Sequence, residues 1–425
     1  MSDARLHVIG AGLAGLAAAL ALAARGRSVT LHEAAAQAGG RCRSYREPAL
    51  GCLIDNGNHL LLSGNEAART FLAEIGSENA LTGPGDARFP FLDLESGKRW
   101  TIRPGEGALP WWIFDRARRV PETTSLDYLE ALKLAIAGPE ATVAERVRSD
   151  GALYRHFWEP LTLAALNTEP QAGAASLLWR VLKDSFGRGA AACRPLVARD
   201  GLGPAFVEPA LKRLAKLGVE IRFNRRLRAM ERSDRSLTGL IFANETVALS
   251  EGDGVVLAVT PATARELLPD LAVPEESRPI VNAHFLLSDG FVPPIPFDGV
   301  SPLLGLFGGT AQWLFLRGAV ASVTVSAASE LVDLPAETLA PRLWSDVARA
   351  LGLEPGDIPS HRVVKEKRAT FAATPAACRK RPAARTTMVN LWLAGDWTAT
   401  GYPATIEGAI RSGRTAAEAA LQPLV

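Results

Sequence analysis

Apolar residues first crowd the chain between Val8 and Ala24, a run of seventeen residues without a charge. Periodicity around it predicts a strand at Arg5–Ile9, an Ala/Leu-rich helix at Leu13–Arg25 and a second strand at Ser28–Leu31, a β-α-β opening. A helix is expected over Glu66–Ile75. Phe89–Leu94 and Arg99–Arg103 read as a hairpin across Glu95-Ser96-Gly97-Lys98. Ser125–Lys183 reads as mostly helical, broken at Gly138-Pro139, Asp150-Gly151 and Pro170, and Gly203–Leu217 as a helix ended by Gly218. Alternation predicts strands at Val219–Phe223, Arg226–Glu231, Leu237–Phe242, Val255–Val259, Val281–Leu287, Leu303–Leu306, Trp313–Leu316 and Ala321–Val325. A helix over Pro341–Leu351, a strand at Leu391–Ala394 and a helix from about Ile406 to Leu421 complete the chain. Strand-rich and helix-rich parts interleave without a linker. The expected fold class is α/β, with two domains each assembled from several discontinuous segments.

The uncharged run invites a membrane reading, but seventeen residues is short of the roughly 20 that a span needs. Arg5 is the only basic residue ahead of it and Asp3 offsets that charge, so a secretory leader is not expected. We expect a cytoplasmic protein, soluble or peripheral to the inner face of the membrane. Of 425 residues, 48% are hydrophobic and 22% charged, values that exclude disorder as the main theme. Basic and acidic residues number 47 and 45, which leaves no electrostatic case for nucleic acid. Cys42, Cys52, Cys193 and Cys378 form no C-x-x-C pair, so neither a metal site nor a disulfide framework is indicated.

The run contains Gly10-Ala11-Gly12-Leu13-Ala14-Gly15, a G-x-G-x-x-G match. Alone it is weak. Here a strand precedes it, a helix follows it, and Glu33 ends the second strand eighteen residues after Gly15. Gly10 permits the tight turn, Gly12 lets backbone approach a pyrophosphate, and Gly15 lets helix and strand pack closely. The amides at the start of the helix, around Leu13 and Ala14, face the phosphates. Glu33 can accept hydrogen bonds from a ribose diol, which favours NAD or FAD over NADP. Gly39-Gly40-Arg41 follows, a second glycine pair that simple NAD enzymes do not need, and it moves the choice to FAD. At the other end Leu391–Ala394 runs into Gly395-Asp396-Trp397, and Ala404-Thr405-Ile406 opens the last helix. No Cys or His lies between Gly395 and Gly408, so non-covalent flavin is expected.

Both ends resemble the FAD-dependent amine oxidase and phytoene desaturase superfamily. Within it, Asp55-Asn56-Gly57-Asn58-His59-Leu60-Leu61-Leu62, Phe157–Thr168 and Arg199-Asp200-Gly201-Leu202 resemble the hydroxysqualene dehydroxylases, with Asn58 where a Gln is usual. The resemblance implies a Rossmann-type FAD-binding domain interleaved with an α+β substrate domain. The FAD domain would take residues 1–85, 199–275 and 376–425, the substrate domain 86–198 and 276–375. It also implies that Asp396 sits by the ribityl chain, that amides at Ala404, Thr405 and Ile406 face the flavin ring, and that Gly40, Arg41, Gly57, Asn58 and Leu227 contact the cofactor. The implied reaction is reductive dehydroxylation of hydroxysqualene to squalene, in squalene and hopanoid biosynthesis. Three other readings share these ends: a carotenoid desaturase or isomerase, a non-catalytic prenyl-chain binder, and an amine oxidase.

Exchanging C–OH for C–H requires water to leave and a hydride to arrive, helped by a proton donor and an apolar pocket. We expect His59 to give or relay the proton, with Asn58 and Asn167 orienting groups beside it. No second nicotinamide motif is present, so the reductant is expected to be an external donor. A polyisoprenoid comes from a bilayer. Pro110-Trp111-Trp112-Ile113-Phe114 beside Arg116, Arg118 and Arg119 suits a membrane interface, and the apolar loop Phe291–Phe297 suits a tunnel mouth.

Overall fold

A computed structural model describes residues 4–288, 290–291 and 302–422. Five short strands pair in parallel in the order Glu220–Arg222, Ser28–His32, Arg5–Ile9, Gly254–Leu257, Leu391–Leu393. The first two strands of the chain lie together, and later segments add on either side. The helix Leu13–Ala23 is buried at every residue but Ala21, between this sheet and the last helix, Ile406–Leu421. A Cβ on Gly413 would lie 2.1 Å from the Ala14 carbonyl oxygen, so the two helices touch backbone to backbone. The uncharged run is therefore a core helix, apolar all round because it is covered all round. Among the described residues no helix is long and apolar enough to cross a membrane.

A seven-stranded sheet faces this body. Its order is His361–Phe371, Ser277–Leu286, Val320–Val325, Trp313–Arg317, Leu303–Phe307, Phe89–Asp93, Arg99–Ile102. The expected hairpin forms and joins the sheet edge, where Phe89–Asp93 runs parallel to Leu303–Phe307. Val281, Phe285 and Val323 pack under the helix Ala336–Leu351, while the alternate positions Ile280, Asn282 and Thr324 face a cavity. An antiparallel meander, Leu227–Ser233, Ser236–Phe242 and Thr246–Ala248, closes the far end.

Four expectations change. The helix placed at Pro341 begins at Ala336 and carries Pro341 inside it. The strand His361–Phe371 was not expected, because charges dominate it and no apolar face marks it. The helical stretch 125–183 breaks into short pieces, with turns across 137–151. Two helices open with a π turn, Tyr154–Trp158 and Gly203–Val207, each ending two residues before a proline (Pro160, Pro209). A proline removes one amide and crowds the carbonyl four residues back, which widens the preceding turn. Beyond Phe291, the loop expected at a tunnel mouth lies outside the described residues.

Burial also sets an acid limit. Burial, His7, Arg222 and Arg225 push His32 down to about 3; burial pushes His284 down to about 4 against the pull of Asp55. Both side chains are neutral in the fold and charge freely near pH 6.5 once unfolded. Their contribution is complete above pH 6.5 and is lost as pH falls toward the folded values. We expect stability at pH 4 to lie about 3 kcal/mol below that at pH 7 from His32 alone, read from urea midpoints across that range.

Candidate active site

The first strand ends at Gly10, which turns at φ +105°; a Cβ there would lie 2.5 Å from the Ala258 oxygen. A Cβ on Gly15 would lie 1.8 Å from the Gly10 oxygen, so Gly15 is a packing residue beneath the turn. Gly12 differs. Its backbone is ordinary extended chain, and a Cβ on it would meet no atom within 4 Å, because it borders a cavity. The Glu33 carboxylate accepts the amides of Ala11 and Ala35, each at 2.8 Å, and ties the glycine turn to the second strand. The Gly39 amide donates to the Ala11 oxygen at 2.8 Å, which seats the Gly39-Gly40 turn against Gly12.

Arg41 joins the two ends of the sequence. It donates to Asp396 at 2.7 Å and to the Ala369 oxygen at 2.6 Å. This geometry orders the Gly39-Gly40 turn. The Gly395 amide donates to Ser412 Oγ at 2.9 Å, and the Trp397 indole to the Val259 oxygen at 2.8 Å. Thr405 caps the last helix through the Gly408 amide at 3.1 Å. Buried Glu407 accepts the amides of Ala67 and Ala68, fixing the helix Glu66–Glu74 over it.

Gly57, Asn58 and His59 cross the cavity between these bodies. Asn58 Nδ2 donates to Thr324 Oγ1 at 3.0 Å, and that hydroxyl donates to Asn282 Oδ1 at 2.7 Å. Asn56 Nδ2 donates to Glu366 at 3.3 Å. The His59 ring has no hydrogen-bond partner among the described residues. Burial lowers its pKa below the ordinary histidine value, against the pull of Asp55 and with the push of Arg41. Asn167 ends its helix in the left-handed region at φ 49°. Its amide is taken up by the Arg278 oxygen at 3.1 Å, Thr370 Oγ1 at 3.0 Å and the Ala327 amide at 2.6 Å. It borders the cavity as a clamp between helix and sheet, with little capacity left for orienting a substrate.

One cavity of about 730 Å³ unites these parts. Every sequence-predicted residue borders it except Gly15: Gly10, Gly12, Leu13, Ala14, Glu33, Gly40, Arg41, Gly57, Asn58, His59, Asn167, Leu227, Gly395, Asp396, Ala404, Thr405 and Ile406. Beyond His59 its wall turns apolar, through Leu60, Leu61, Phe89, Phe91, Phe157 and Phe186. Among the described residues no cluster of three metal-ligating side chains is found.

Residues 13–421 match the family of flavin-containing amine oxidoreductases. The chain is 45% identical over 416 residues to a hydroxysqualene dehydroxylase of Sinorhizobium fredii, and 46% over 417 residues to one of Rhodopseudomonas palustris. Each alignment covers 98% of both chains. The chain belongs to the hydroxysqualene dehydroxylase family. The fold is that of cyclohexylamine oxidase from Brevibacterium oxydans, at a TM-score of 0.71, 18% identity and 98% coverage of each chain.

The cofactor of this family member is FAD, and two observations fit it. Gly12 leaves the kind of side-chain-free wall that a pyrophosphate requires. Near Glu33, His32 is 1% exposed and borders the cavity, and its Nδ1 has no partner; a hydroxyl or ring nitrogen of an adenosine satisfies such an atom. Sequence reasoning missed His32, Asn282, Thr324 and Glu366. A polar residue inside an apolar strand was the available signal for Asn282 and Thr324. Their pairing across two strands was not visible without register. It also misplaced Trp112, which is 6% exposed and packs edge-on against Tyr128 at 5.4 Å, away from any interface.

Proposed function

We propose that this protein removes the allylic hydroxyl of hydroxysqualene and replaces it with hydrogen, giving squalene. The observation that carries the reading is one cavity. It runs from the glycine turn, past Asp396 and His59, into an arm lined by Phe89, Phe91 and Phe157. Relatives at 45% and 46% identity that bear this activity support it.

Bound FAD supplies the hydride in its reduced form. The chain's own residues do the rest. The aromatic arm holds the hydrocarbon and keeps water from the carbon that loses its hydroxyl. We assign His59 the proton: the C–O bond breaks, the oxygen leaves as water with that proton, and hydride completes the new C–H bond. Thr324 and Asn282 hold Asn58, and so fix the loop in which His59 follows it. Asn167 positions the helix Glu159–Leu166, whose residues Pro160, Leu161 and Ala164 form part of the apolar wall. Gly40 and Arg41 hold the pyrophosphate turn, and Leu227 closes the adenosine end. The reducing equivalents would come from an external donor. The protein works as a peripheral protein at the inner face of the cell membrane, where its substrate resides.

The test is anaerobic. Reduced holoenzyme is mixed with hydroxysqualene in detergent, the flavin absorbance is followed and the lipid is extracted. We expect flavin reoxidation matched one-to-one by squalene. Flavin that stays reduced over unchanged alcohol would overturn the reading in favour of a desaturase. A chain that purifies without flavin would point to a prenyl-chain binder.

A further inference from the structure

Among the described residues eight large hydrophobic side chains are exposed, and seven of them fall between 109 and 136: Leu109, Trp111, Phe114, Leu126, Leu129, Leu132 and Ile136. The remaining one is Leu53. Such clustering is foreign to a surface that meets only water. Its geometry is ordered. Trp111–Phe114 is a single 3₁₀ turn that points Trp111 and Phe114 outward, 6.1 Å apart, and Trp112 and Ile113 inward. Asp127–Glu130 and Ala131–Ala135 form one continuous helical stretch. Leu129 and Leu132 lie outward on it, flanked by Leu126 and Ile136, while Tyr128 and Leu134 face the core. Ile136 is 82% exposed, Leu126 71% and Trp111 68%.

The inner side of this segment leads to the cavity. Trp112 packs on Tyr128, Tyr128 lies 6.1 Å from Phe157, and Phe157 lies 5.7 Å from Phe186. Phe157 and Phe186 border the cavity. A path of neighbouring aromatic rings, Trp112, Tyr128 and Phe157, therefore leads from beneath the exposed patch to the apolar arm.

We propose that the patch formed by Leu109, Trp111, Phe114, Leu126, Leu129, Leu132 and Ile136 inserts into the acyl region of a lipid bilayer, and that polyisoprenoid enters the cavity from the bilayer through this face. The proposal rests on the assigned substrate, a hydrocarbon that partitions into lipid. Charge indicates how the patch binds. The segment 109–136 carries four basic and four acidic residues. Arg118 and Arg119 donate to the carbonyls of Arg103, Pro104 and Ile113, and Glu122 pairs with Lys98. The segment's own charges sum to zero, so no strong positive field recruits anionic headgroups, and attachment is driven by apolar insertion and depends little on salt. This sets the helical stripe beside Trp111, with Trp112 excluded.

The experiment compares the holoenzyme with a variant carrying Trp111→Ser, Phe114→Ser, Leu129→Ser and Leu132→Ser, all at exposed positions. Both are sedimented with phosphatidylcholine vesicles at low and high salt. Both are assayed with hydroxysqualene delivered in vesicles and in detergent micelles. We expect the parent to sediment equally at both salts and the variant to bind at least tenfold more weakly. We expect turnover from vesicles to fall with binding, with turnover from micelles unchanged. Equal sedimentation of the two proteins would overturn the proposal. So would a parent that stays in the supernatant as a dimer which the substitutions dissociate, because the patch is then a contact between two copies. Absence of squalene in both deliveries would overturn the assigned reaction and leave the vesicle result standing.

Discussion

Gly12→Val yields a protein that folds normally and does not hold FAD. A Cβ at Gly12 meets no protein atom within 4 Å, so the added methyl groups cost the fold little. They enter the wall of the cavity where backbone must approach the pyrophosphate. We expect FAD affinity to fall by roughly tenfold to a hundredfold or more, the cost of overpacking converted to binding, with the apoprotein's melting curve unchanged. Gly15→Val is the control. Its Cβ would overlap the Gly10 oxygen at 1.8 Å, so that variant should lose the folded state itself. Flavin fluorescence titration and circular dichroism separate the two. A Gly12→Val protein that binds FAD like the parent would remove the pyrophosphate from this turn.

His59→Gln carries the second large effect. If His59 delivers the proton, kcat falls by about 10²- to 10⁴-fold with FAD content and KM nearly unchanged. The pH profile supplies a readout that a structural role would not move. Burial, helped by Arg41 and opposed by Asp55, sets the His59 pKa below 6.5. The charged, proton-donating form therefore dominates only below that value. In the parent, kcat is level at the acid end and falls about tenfold per pH unit above the His59 pKa; the Gln variant loses this limb. The acid limit imposed by His32 and His284 acts in the opposite direction, removing folded protein as pH falls, so folding is monitored at each pH to keep the acid plateau interpretable. A parent whose kcat is flat from pH 5.5 to 8 would take the proton away from His59.

The cofactor end was legible in sequence because its demands are local. Gly10 and Gly12 form one turn with Gly15 packed beneath it, and strand, turn and helix are contiguous from Arg5 to Ala23. Asp396 was legible as a motif. Arg41 was named as well, but its pairing with Asp396 across 355 residues was not visible, since only the packing of two bodies brings them to 2.7 Å. The strand His361–Phe371 was hidden for a related reason. Its fold depends on pairing with Ser277–Leu286, and its own residues show no apolar face. Asn167 was expected to orient groups beside His59; what the sequence did not show is that its amide is taken up between helix and sheet. The exposed patch was half visible. Trp111 and Phe114 stood out, but the burial of Trp112 and the outward turn of Leu129 and Leu132 depend on where Tyr128 anchors the segment.

By itself the sequence determined the dinucleotide turn and pointed to a flavin, because short-range spacing dictates backbone geometry and so the ligand it admits; the family came from the resemblance of its longer motifs. The tertiary structure decided what faces the cavity. Asn282, Thr324, Glu366 and the aromatic arm come from strands and helices far apart in the chain. A side chain's exposure, hydrogen-bond partners and pKa are set by what packs across from it, and that neighbour is chosen by the fold as a whole.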